Sequence, residues 1–186
     1  MDSSLYPAFK AAIAAETDPT FVALRQANET GQMAAWYNGA YSPSFTVWRS
    51  VTLAQSVFNA VNWAAFTPVD VPDGTALYTN RAMAALLAQQ NLMTLLQSNT
   101  PISTGFANVR KLLSDACSLS LFTGASGAAQ NAGWLGTSGV KQAICRTITR
   151  AEKVWATGTG TSGAPGDLGA FEGVVTNDDI VNALRS

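Results

Sequence analysis

The chain contains no histidine, which removes histidine-based catalytic triads, histidine-ligated zinc sites and the usual switch near neutral pH. It has two cysteines, Cys117 and Cys145, and neither belongs to a CxxC motif or a Cys/His cluster. Both read as buried free thiols. Charge is also scarce: 12% of residues are charged, against about a quarter in an average soluble domain. The net charge is −1, so no global field draws the chain toward nucleic acid or an anionic membrane. Its apolar runs fall short of the roughly 18 residues that span a bilayer, and Met1 leads into no basic-then-apolar leader. The expectation is a soluble protein made inside a cell, with no membrane partner.

Sequence signatures of catalysis are missing as well. No Gly-rich loop ends in Lys-Ser or Lys-Thr, and no G-x-S-x-G elbow or carboxylate cluster with metal-ligand spacing is present. The acidic doublet Asp178-Asp179 opens a helical pattern, where it complements the helix dipole, with Thr176 or Asn177 as cap. The expectation is therefore a non-enzyme with no catalytic residue, no metal and no cofactor.

What the 186 residues do offer is apolar content, 47% of the chain, much of it alanine. A chain this rich in alanine and poor in charge packs helices closely. Its surface must be covered by uncharged polar residues or by neighbouring subunits.

Helical spacing recurs along the sequence. Ser3 or Ser4 is a candidate cap for a helix over 5–16, and Asp18-Pro19 is a strong start for the next, over 19–27. Residues 32–40 carry Met33, Trp36 and Tyr37, read as core aromatics. The segment 41–49 alternates Phe45 and Val47 with Thr46 and Trp48, as a short strand or a packed connection. Helical patterns return over 50–62, 73–98 and 105–118, followed by a Gly/Ala-rich loop at 124–139. A further helix is expected from about Ser138 to Trp155, burying Val140, Ala143, Ile144, Ile148, Ala151 and Trp155. The fold expected is mainly α: a helical bundle over 1–156, then an extended C-terminal arm over 157–186 that ends in a short helix.

Lys141, Arg146, Arg150 and Lys153 are four of the 11 basic residues, and on that helix they form a basic patch. It reads as a subunit contact, with a solvated face or a non-specific contact to DNA phosphates as the alternatives.

The run CRTITRAEKVWATGTGT, followed after a proline-containing spacer by FEGVVTNDDIVNAL, resembles a group of small structural proteins from the virion-morphogenesis regions of tailed bacteriophages. Val47-Trp48-Arg49 and the surroundings of Trp63 share the likeness; the loop at 124–139 departs from it. The resemblance implies a virion protein assembled in the host cytoplasm, a neck adaptor forming a homo-oligomeric ring between portal and tail proteins. A tail-completion or capsid-associated protein, or a DNA-contacting module built on the basic helix, are the alternatives. Such adaptors grip a neighbour with an extended terminal arm. The stretch TGTGTSGAPGDLG costs conformational entropy to order and so requires a partner surface. Phe171, Val174, Val175, Ile180, Val181 and Leu184 are the expected apolar anchors at the subunit interface, with Glu172-Gly173 adding backbone to a sheet edge. Removal of 157–186 is expected to leave a folded helical core that fails to assemble.

Overall fold

The computed structural model describes residues 1–61, 63, 87, 90–98, 100–118 and 139–186. It is mainly helical, as the periodicity indicates, and its one described sheet has two strands. The chain divides into two compact units, one built from Met1–Val47 and Thr147–Ser186, the other from Trp48–Arg146.

The discontinuous unit begins with a 3-10 turn, Ser3–Leu5, whose cap is Asp2 rather than Ser3 or Ser4. The Asp2 carboxylate accepts the Ser4 N–H at 2.8 Å, while both serines lie inside the turn. Helix α1 (Tyr6–Ala15) follows, with Pro7 in its first turn, where no backbone N–H is required. Helix α2 (Pro19–Gln26) starts as expected: Asp18 accepts from the N–H groups of Thr20 and Phe21, and Pro19 occupies the first helical position. Asn28, at φ 56°, turns the chain into α3 (Thr30–Asn38). Phe9, Ile13, Phe21, Met33 and Tyr37 point into one core, with ring centroids 4.8 Å apart for Phe9–Tyr37 and 5.2 Å for Phe21–Tyr37.

The second unit contains α4 (Ala54–Ala60), helical residues 90–97, and α5 (Ala107–Ser118). Its core gathers Val57, Leu92, Leu113, Val140 and Ile144. A backbone bridge joins Thr52 to Ile102, and the buried Thr52 and Thr104 hydroxyls meet at 2.9 Å. The rest of the helix expected over 73–98, and the loop 124–139 apart from Gly139, lie outside the described residues.

The helix expected over 138–155 is broken into three pieces. Residues Val140–Ala143 form α6, Cys145–Thr147 a strand, β2, and Arg150–Lys153 the short helix α7. Two physical causes act together. Ile144, Thr147, Ile148 and Thr149 are β-branched and suit a pleated surface, and β2 pairs with β1 (Thr46–Trp48). Thr149 then restarts the helix through a capping box, its hydroxyl accepting the Glu152 N–H at 3.2 Å while Glu152 accepts the Thr149 N–H at 3.1 Å. The chain passes between the units twice, at 47/48 and 146/147, within β1 and β2.

Residues 157–186 do not form a separate arm. They belong to the unit that contains α1–α3. The terminal helix α8 (Asn177–Arg185) packs on α1 and α3, and Phe171, Val175, Ile180 and Ala183 are buried in the same core as Phe9 and Phe21. Thr176 caps α8 as expected, in a box with Asp179. Asp179 is 4% exposed and also meets the Met1 ammonium at 2.7 Å and the Tyr6 hydroxyl at 3.2 Å. Burial works against its charge, but the ammonium and the Thr176 N–H and O–H outweigh it and hold the carboxyl at about 2, below its ordinary 3.8.

Two outcomes follow from α8 being core. Ile180, fully buried, should lose about 3 kcal/mol of unfolding free energy on replacement by alanine, measured by urea titration, and a chain ending at Thr176 should lose the near-ultraviolet signal of the Phe9–Tyr37 cluster rather than keep a folded core. The depressed Asp179 carboxyl favours the folded state above its unfolded value. Its contribution of about 2 kcal/mol is complete above about pH 4 and disappears as the pH falls toward 2. The stability gap between wild type and Asp179→Asn should therefore close over that acid interval.

Candidate functional site

The expected interface residues separate by burial. Phe171, Val175 and Ile180 are buried in the chain's own core, Val181 and Leu184 are half-buried, and Glu172 and Val174 are exposed. The Phe171 ring lies 5.3 Å from that of Trp155. Asn38 clamps Val175 from both sides of the backbone, accepting its N–H and donating to its carbonyl, each at 2.8 Å. Phe171, Val175 and Ile180 therefore dock, but onto this chain; an apolar pattern cannot indicate whether the surface it meets is in the same molecule.

The glycine-rich run is held in the same way. Thr157 and Asp167 exchange two backbone hydrogen bonds of 3.0 Å, the Thr46 N–H donates to Gly160, and the Gly166 N–H donates to Thr46. The Phe45 ring lies against Gly160 and Gly166, so closely that a Cβ at either would overlap it, and Gly160 adopts φ +66°. Leu168, Val47 and Ile148 complete this small cluster around Phe45. The entropy of ordering the run is thus offset inside the chain.

The four basic residues do not lie on one helix. Lys141 and Arg146 fall in one unit, Arg150 and Lys153 in the other. Lys141 is only 7% exposed, its ammonium 5.9 Å from the Trp48 ring centre, where Arg110 also stacks at 4.9 Å. Arg146 is half-buried on β2. The Arg150 guanidinium stacks on Trp36 at 4.4 Å and donates to the Trp36 carbonyl at 3.0 Å. The Lys153 ammonium lies 4.5 Å from the Phe45 ring centre and 5.7 Å from that of Tyr41. The break at β2 puts the two pairs on different elements, and aromatic faces receive the heads of Lys141, Arg150 and Lys153.

Arg150 and Lys153 line a cleft of about 540 Å³ in the discontinuous unit, together with Glu16, Asp18, Trp36, Tyr37, Tyr41 and Ser42. Tyr37, 2% exposed, has a buried hydroxyl without a hydrogen-bond partner. Burial, and then the Glu16 charge, push the phenol above its ordinary range, partly opposed by Arg25.

No family model, curated protein or solved structure matches this chain. What the residues can do must therefore be read from their own geometry. Among the described residues no group of three or more Cys, Asp or Glu side chains is placed to hold a metal, and no helix is long and apolar enough to cross a membrane.

The cleft escaped sequence reasoning because Trp36 and Tyr37 carry ordinary core spacing, and the missing partner of the phenol exists only once α1, α3 and α7 are assembled. The start of α7 did have a signal, the T-x-x-E of Thr149 and Glu152.

Cys117 and Cys145 are buried and unpaired, as expected. Burial raises the Cys117 thiol to about 12; it also raises Cys145, to about 11 against the opposing charges of Lys141, Arg110 and Arg49. Neither forms an appreciable thiolate near neutrality, so neither is a nucleophile. Both should resist a disulfide-exchange reagent at pH 8 in the folded protein and react together in denaturant; fast labelling of the native chain would contradict this arrangement.

Proposed function

We propose that this chain is a structural subunit of a tailed-bacteriophage virion, a head–tail adaptor that assembles as a homo-oligomeric ring between portal and tail proteins. The resemblance of 145–161 and 171–184 to phage morphogenesis proteins supplies the context. The observation that carries the assembly reading is apolar surface on the unit Trp48–Arg146. There Leu53 is 63% exposed, Phe106 65% and Val51 53%, with Phe58 and Leu112 also exposed. Large apolar side chains left in water on a chain with so little charge support a reading in which another protein covers them. In this reading the subunit contact moves from the arm, whose anchors are used internally, to this unit, with Val174 as a further contact.

A tail-completion or capsid-associated position uses the same surface and differs in the partner it meets. The DNA-contacting alternative has less support, because Lys141 is buried and Arg150 and Lys153 are held over aromatic rings.

The purified protein, alone and mixed with its portal, should form closed rings in negative-stain electron microscopy, and light scattering should find them intact at high salt, since apolar contacts are not screened. The pair Leu53→Asp and Phe106→Asp should yield monomers with unchanged far-ultraviolet circular dichroism. A chain that stays monomeric at every concentration and with portal present, or that binds duplex DNA with a steep salt dependence, would overturn the adaptor reading.

A further inference from the structure

We infer that the cleft bounded by α1, α3 and α7 is a binding site for a short extended peptide segment bearing an acidic side chain. Four groups in it are incompletely used, and they make three demands. The Tyr37 hydroxyl is buried with no partner, and leaving such a donor unsatisfied costs about 1–3 kcal/mol. Tyr37 lines the cleft, and its phenol feels the charge of Glu16, which lines it too. Glu16 spends one oxygen, Oε1, on the N–H groups of Thr17 and Asp18, which leaves Oε2 as an acceptor. Arg150 and Lys153 stand one turn apart on α7 and rest on aromatic faces; among the described residues neither has a carboxylate at ion-pair distance. A ring face orients a cation without neutralising it, so both remain able to take a carboxylate.

A peptide answers all three demands at once. Its carbonyl accepts from the Tyr37 hydroxyl, its N–H donates to Glu16, and its acidic side chain meets Arg150 and Lys153, while its apolar parts lie on Trp36 and Tyr41. A simple anion does not fit as well. Glu16 and Asp18 balance the two cations, so phosphate or a nucleic-acid backbone would meet two negative charges in the same cleft. The volume is also that of a small-ligand site rather than an ion site. The inference does not rest on the adaptor reading, because a single copy of the chain contains the whole cleft.

The test uses the full chain and the blocked pentapeptide Ala-Ala-Glu-Ala-Ala, followed by amide and indole NMR shifts. Saturable shifts centred on Trp36 and α7 are expected, with the Gln peptide binding about tenfold more weakly and the Lys peptide weaker still. Tyr37→Phe, which removes only the unpaired hydroxyl, should keep or raise the thermal midpoint yet weaken binding about fivefold; a purely structural tyrosine would not separate those two readouts. Lys153→Gln, on a half-buried side chain, gives a second loss that does not depend on the core. Equal binding of the Glu and Gln peptides, no saturable binding, unchanged affinity in both variants, or displacement of the peptide by inorganic phosphate at equal concentration would each overturn the inference. Ring formation plays no part in any of these outcomes.

Discussion

The discontinuous unit depends on one packing event, the seating of α8 on α1 and α3. Helices α1 to α3 are short, eight to ten residues each, and helices of that length are marginal in water on their own. Their apolar faces converge on Phe9, Phe21 and Tyr37, and Ile180 and Ala183 fill the space between them. Buried Asp179 fixes the entry of α8: it closes the capping box with Thr176 and meets the Met1 ammonium and Tyr6 in the same place. An unpaired carboxylate at that depth would be costly; with four donors around it, the same group specifies one register for the helix.

That arrangement also explains which features were legible in the sequence. Asp18-Pro19 and Thr176 act within a turn of themselves, so local chemistry suffices to find them, and the helical character of 5–16, 19–27 and 105–118 follows from spacing alone. Two readings needed information that local chemistry does not contain. The helix expected through 138–155 yields to a strand because β1 lies about a hundred residues away in sequence, and no window over 141–156 includes it. The arm has the composition of a segment that needs a partner, and it has one, namely Thr46, Phe45, Asn38 and the α1–α3 core of its own chain. The incompletely bonded phenol of Tyr37 belongs to the same class of property, visible only when three separate helices are in place.

Cations over aromatic rings recur in both units: Arg110 and Lys141 at Trp48 in one, Arg150 at Trp36 and Lys153 at Phe45 in the other. In a chain with 12 acidic residues, several committed to helix caps, ring faces take the place of carboxylates as partners for Arg150 and Lys153 among the described residues. Such contacts orient the cation with less desolvation than a buried ion pair requires. The proposed adaptor surface and the cleft are separate consequences of this economy of charge, one apolar and exposed, the other polar and recessed.

The double passage of the chain through β1 and β2 bears on when each unit matures. The unit Trp48–Arg146 is continuous in sequence, so it can begin to fold during synthesis as soon as it clears the ribosome. The other unit cannot close until Phe171, Val175 and Ile180 have also emerged, because they share one core with Phe9, Phe21 and Tyr37. On a nascent chain the last part of this unit's core to become available is therefore Ile180 and Ala183. Until then the apolar faces of α1 to α3 lack the helix that covers them, and they gain it only when the last turns of the chain are made.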